Sequence, residues 1–192
     1  MAAPTARIRT IPLNTATTDV DTAAERKGSI SGQGVVSTGT GNEADFGTVD
    51  ISGGAANSSI LTMLFDITAD GGNTVAEDFK LWLSSNGFDQ AGTVMKFAPL
   101  SGADQGSASL TENYTQNATT GTYTWADLPE TEPGGQNIYP SDEGSSMVLD
   151  TTSDDAIMWA WYLAVAAGET TGTYKGTDTG NEFRATIKFS YS

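Results

Sequence analysis

The sequence predicts an all-β fold: one β-sandwich, immunoglobulin-like or jelly-roll Greek key, with an extended N-terminal arm. Three observations predict it. The 192 residues include 22 glycines, and the abundance of Thr, Ser, Asn and Asp beside them favours short strands joined by turns. Residues 156–165 (Ala-Ile-Met-Trp-Ala-Trp-Tyr-Leu-Ala-Val) are apolar on both faces, as in the central strand of a two-layer core. In the final strand Phe183, Ala185, Ile187, Phe189 and Tyr191 face in, while Arg184, Thr186, Lys188 and Ser190 face out.

Taken in order, residues 1–27 form a Thr/Ala-rich arm holding Arg7, Arg9 and Arg26. Such a segment is not expected to be ordered alone, so either its own domain or a neighbouring subunit must hold it. The sandwich domain spans residues 28–192. Ser29–Val36 and Phe46–Ile51 read as short strands rich in β-branched residues, with Gly39-Thr-Gly41-Asn42 between them. Across Ile60–Ile67, Leu61, Met63, Phe65 and Ile67 share one face. Phe79, Leu81 and Leu83 then alternate with Lys80, Trp82 and Ser84, and Thr93–Phe97 follows. Weaker candidates lie near 107–114 and 121–125. Residues 128–148, with Pro129, Pro133-Gly-Gly135 and Pro140, read as a long surface loop suited to making contacts.

The segment Trp161-Tyr-Leu-Ala-Val-Ala-Ala-Gly-Glu-Thr-Thr-Gly-Thr-Tyr-Lys-Gly-Thr177 resembles the end of bacterial and phage immunoglobulin-like sandwiches. The pattern is an apolar strand, a Gly-x-x-x-Gly turn, and Thr-Tyr-x-Gly-Thr opening the last strand. The resemblance implies that Gly172 sets a tight turn and that Tyr174 packs at the sheet corner. Asp178-Thr-Gly-Asn181 intervenes before Phe183, a departure from a simple hairpin.

Charge and composition narrow the function. The net charge of −15 repels phosphate backbones and anionic lipid, so neither nucleic acid nor membrane is expected as a partner. The chain has no cysteine and no histidine, which removes disulfides, Cys/His zinc sites and Ser-His-Asp triads. The first 30 residues contain no apolar run, so neither a signal peptide nor a membrane span is expected.

The sharpest motif runs from Asp66 to Glu77. Asp66, Thr68, Asp70, Thr74 and Glu77 fall at positions one, three, five, nine and twelve, with Gly71 at six, a spacing that resembles a calcium loop. Against this, the preceding segment alternates as a strand, and Asn73 stands where an apolar residue is usual. The competing reading is a polar hairpin turned by Asp70-Gly71-Gly72, and no metal or other cofactor is expected. The carboxylate pairs Glu77/Asp78, Asp142/Glu143 and Asp154/Asp155 lie in polar sequence and read as solvated turn residues, so no catalytic residue is assigned. Of Trp82, Trp125, Trp159 and Trp161, the last two read as core and Trp125 as the best exposed aromatic.

A small acidic β domain without Cys or His, with an N-terminal arm, looks like a phage head-decoration or accessory virion protein. The expected function is non-enzymatic: attachment to a capsid or tail lattice through the arm and loops, as a homo-oligomer located in the virion. The alternative is an extracellular adhesin-like or carbohydrate-binding module using Trp125 and the 127–147 loop.

Overall fold

The computed structural model describes residues 1–11, 34–36, 44–99, 125–140, 145–149, 156–175 and 182–192. Its described elements are strands: β1 Thr5–Ile11, β2 Gly34–Val36, β3 Ala56–Asn57, β4 Leu61–Ala69, β5 Val75–Asn86, β6 Val94–Pro99, β7 Ala126–Asp127, β8 Ser146–Val148, β9 Ile157–Val165 and β10 Phe183–Tyr191. They form two sheets that pack face to face, an all-β sandwich. The large sheet runs β2-β1-β4-β9-β6-β7, with β3 also on β9, and the small sheet runs β10-β5-β8. Every strand pairing is antiparallel.

Hydrophobic alternation explains which faces meet. Met63, Phe65 and Ile67 of β4 and Ile157, Trp159 and Trp161 of β9 oppose Phe79, Leu81 and Leu83 of β5 and Met147 of β8 in one core. Each such side chain contributes roughly 1.5–3 kcal/mol on burial. Phe189 joins the layers, its ring centroid 5.6 Å from Phe65 and 5.4 Å from Phe79. β9 holds the central place that its two-sided apolar sequence predicts, with β4 on one edge and β6 on the other. Met158 and Ala160, on its other face, are buried as well.

Four local expectations are corrected. Thr5–Ile11, expected within an arm, is a strand laid between β2 and β4, and the domain boundary expected after residue 27 lies outside the described residues. Phe46–Ile51 is not a strand. Gly47 has φ +75°, and the Asp45 and Asp50 carboxylates accept from the backbone N–H groups of Gly47 and Ser52 at 2.8 and 2.9 Å, bending the chain locally. The segment 70–74 joins β4 to β5 across the two sheets, not within a hairpin. The left-handed turn residue after β9 is Gly168 at φ +85°, not Gly172. The strand candidate at 107–114, all of the candidate at 121–125 but Trp125, and the pairs Asp142/Glu143 and Asp154/Asp155 lie outside the described residues.

The crossing turn gathers both ends of the chain. Asp70 Oδ1 accepts from Gly72 N at 2.6 Å, and Asn73 Nδ2 donates to Ala2 O at 2.8 Å. Ala2 N donates to Gly71 O at 3.0 Å, while Ser192 O accepts from Thr74 N at 2.7 Å and Val75 N at 3.1 Å. Gly71 is required here: its φ is +67°, and a methyl group would overlap the Ala2 carbonyl oxygen and lie 3.0 Å from Ala3 O. Gly71→Ala is therefore expected to cost about 2 kcal/mol, from left-handed strain plus displacement of the N-terminal strand. Urea unfolding together with amide exchange along β1 checks this; an unchanged midpoint refutes it.

Candidate functional site

The residues of the calcium-like spacing do not converge. Asp66 lies on the outer face of the large sheet, where the antiparallel register sets Arg7 opposite it and Arg9 opposite Leu64. Its carboxylate accepts from Arg7 Nε at 3.0 Å and Arg7 Nη2 at 2.6 Å, and Arg9 Nη2 lies 3.4 Å away. The Thr68 hydroxyl donates to Thr5 O at 3.2 Å. Asp70 turns the loop, and Glu77 is exposed on β5 opposite Ser146 and Ser190. Among the described residues no group of three His, Cys, Asp or Glu side chains is placed to hold a metal ion.

The Arg7–Asp66–Arg9 cluster is instead an internal fastening for β1. Arg9 is 0% and Asp66 1% exposed, whereas Arg7 is part-exposed. Burial lowers the Arg9 guanidinium pKa from its ordinary value, and the Asp66 charge opposes that shift. Of the two expected holders of this basic segment, its own domain and a neighbouring subunit, the chain's own sheet holds Arg7 and Arg9. The sequence signal was a single acid inside the apolar run Leu61–Ile67, a position that demands a charged partner.

A second buried carboxylate, Glu169, was not anticipated. It lies at the end of the sandwich opposite the crossing turn, after β9, and is 6% exposed. Its oxygens accept from Asp89 N at 2.7 Å, Gln90 N at 3.1 Å, Thr93 Oγ1 at 2.6 Å and Tyr174 Oη at 3.1 Å. Thr93 Oγ1 accepts in turn from Ala166 N at 3.0 Å. Burial pushes the Glu169 carboxyl up, but the four donors outweigh it and hold its pKa below the ordinary glutamate value. The Tyr174 ring lies tilted against Phe88 with centroids 4.6 Å apart, and its one hydroxyl proton is shared between Glu169 and Thr170 O, 2.8 Å away. Its own pKa is raised by burial and by the Glu169 charge. This is a corner clamp between the β5–β6 connection and the turn after β9; all its groups are saturated by one another.

The loop after β7 is laced across the sheets. Lys96 pairs with Asp127, Leu128 N donates to Met95 O at 2.7 Å, and Leu83 N donates to Pro129 O at 2.8 Å. Asn137 imitates a strand neighbour for β5: Leu81 N donates to its Oδ1 and its Nδ2 donates to Leu81 O, both at 2.8 Å. Trp125 is half-buried with its ring edge against Tyr162 at 4.9 Å, not a free platform. Trp159 and Trp161 are core residues. Trp82 is half-buried on the outer face of the small sheet, opposite Thr186 of β10.

On that face a chain of charges runs beside the indole. Lys188 Nζ lies 2.7 Å and Lys80 Nζ 3.8 Å from Glu132 Oε1, and Lys80 Nζ lies 3.0 Å from Asp78 Oδ2. Asp78 takes φ +56° where the β5–β10 register shifts, so it and its neighbour Glu77 are both exposed. On the other side of Trp82, Thr186 Oγ1 donates to Ser84 Oγ at 2.7 Å, and Ser84 donates to Arg184 O at 3.1 Å.

No protein-family model matches the chain, and comparison with curated proteins and with solved structures finds no match. Among the described residues no helix is long and apolar enough to cross a membrane.

Proposed function

We propose that this β-sandwich is a non-enzymatic virion structural protein, a phage head-decoration or capsid-stabilising protein that binds a capsid or tail lattice and works as a homo-oligomer. One observation carries the reading. Among the described residues five large apolar side chains are exposed, and two of them, Met1 and Tyr191, stand at the crossing turn: Met1 lies beside Gly72, and Tyr191 pairs with Ala76. An apolar tip on a strongly acidic body is suited to docking, because apolar surface gathered at one place marks a contact site. The net charge of −15 keeps crowded copies dispersed. With Thr5–Ile11 held in its own sheet, lattice contact moves from the expected arm to this tip.

Binding to the lattice would stabilise particles by mass action. The test is co-sedimentation of the purified protein with undecorated capsids or tails of the phage that encodes it, followed by thermal melting of the particles. Saturable binding and a raised capsid melting temperature are expected, with Tyr191→Asp weakening binding at least about tenfold through a buried unpaired charge. Absence of particle binding, or equal binding by Tyr191→Asp, refutes the proposal.

A further inference from the structure

Of the four tryptophans, Trp159 and Trp161 fill the core and Trp125 packs on Tyr162, which leaves Trp82. Strand alternation turns its indole away from Leu81 and Leu83 and onto the outer face of the small sheet, with Lys80 and Ser84 as same-face neighbours along β5 and Thr186 across on β10. We infer that this face binds a neutral polysaccharide, with a pyranose ring stacked on Trp82. This goes beyond the lattice-binding reading and does not depend on it.

The chemistry of the surround decides the ligand class. A pyranose presents axial C–H groups on its faces and hydroxyls around its rim. An indole face takes the first by dispersion, and polar groups beside it take the second. Trp82 has both kinds of neighbour. On one side lie the Lys80, Glu132 and Lys188 charges, which alternate donor and acceptor. On the other lie the Ser84 and Thr186 hydroxyl oxygens, whose protons are given to Arg184 O and Ser84 and whose remaining lone pairs can accept from sugar hydroxyls. A protein partner fits less well, because the centres of protein interfaces are depleted of charged residues. A polyanion is opposed by the −15 net charge and by Glu132 and Asp78 at the site. A sheet face binds its ligand lengthwise, which favours a polymer over a free monosaccharide.

The experiment is calorimetric titration of the full chain with hexasaccharides of β-1,4-linked glucose, mannose and N-acetylglucosamine and of α-1,4-linked glucose. Far-UV circular dichroism serves as the folding control. At least one hexasaccharide is expected to bind with Kd between about 10 µM and 1 mM. Trp82→Ala should weaken it more than tenfold, Trp82→Phe by less than about fivefold, and Trp125→Ala should leave it unchanged. Binding of none of the four, or equal binding by folded Trp82→Ala, overturns the inference. Particle co-sedimentation of Trp82→Ala at wild-type strength would leave lattice binding standing while the glycan site fails, so the two readings are separable.

Discussion

Replacing Asp66 by alanine is expected to destabilise the fold by about 3–5 kcal/mol, the cost of breaking a buried ion pair by removing its acid. For a protein of this size that is a fall in Tm on the order of 10 °C. The reasoning rests on burial. Arg9 is 0% exposed and its guanidinium lies 3.4 Å from Asp66 on the outer face of the large sheet, so losing the carboxylate takes an ion-pair partner from a buried cation. Arg7, bonded through Nε and Nη2, is part-exposed and can turn to solvent. The loss therefore comes chiefly through Arg9. Salt should not reproduce the effect, because ions do not screen a pair buried this deeply. Arg9→Met in the Asp66→Ala background should recover part of the loss, since it removes the buried charge that Asp66 paired with while keeping an unbranched apolar stem. A double-mutant cycle followed by urea unfolding measures this. Additive effects of the two substitutions would show that the pair is not coupled. The same geometry predicts that millimolar calcium leaves the melting temperature unchanged, since the Asp66 carboxylate is already occupied by guanidinium groups.

What the sequence revealed, and what it concealed, follows from where each signal resides. β4, β5, β9 and β10 were legible because alternation or two-sided apolarity is a property of the strand itself. Their pairing was not. The Asp70-Gly71-Gly72 turn has hairpin composition, but whether a turn closes a hairpin or crosses between sheets depends on which faces the flanking strands bury. β1 was hidden because Arg7 and Arg9 make Ala6–Thr10 look like a basic tail, and its inward face is only Ala6, Ile8 and Thr10. Its partner was visible in Asp66, but a pair 59 residues apart leaves no local trace. Phe46–Ile51 failed the other way: β-branched residues suggested a strand, and two aspartate side chains bend the backbone instead. Trp125, expected as the exposed aromatic, is half-buried against Tyr162. Proximity to a loop suggested exposure for Trp125, whereas the alternation of Phe79–Ser84 puts Trp82 on the outer face of the small sheet, half-buried.

Glu169→Ala is expected to cost about 3 kcal/mol, and its pH dependence tests the cause. The side chain accepts from two backbone N–H groups and two hydroxyls, and bonds to an ionised acceptor are worth more than neutral ones. The sum is limited because Tyr174 keeps Thr170 O, and water can reach part of the vacated corner. Glu169→Gln retains one acceptor oxygen but turns an NH2 toward donors, so a loss of about 1–2 kcal/mol is expected. The folded pKa is depressed below the ordinary glutamate value of about 4.3. Above that value the carboxylate is ionised in folded and unfolded chains alike, and its stabilisation is fully present. As pH falls through the folded pKa, the unfolded chain has already taken up its proton, and the advantage of the ionised clamp is lost. The stability gap between wild type and Glu169→Gln should therefore be constant from neutral pH to about pH 5 and close progressively below about pH 4.3. Urea midpoints of both proteins between pH 7 and 2 measure it. A gap that persists undiminished to pH 2 would show that shape and packing, not the carboxylate's charge, hold the β5–β6 connection against the turn after β9.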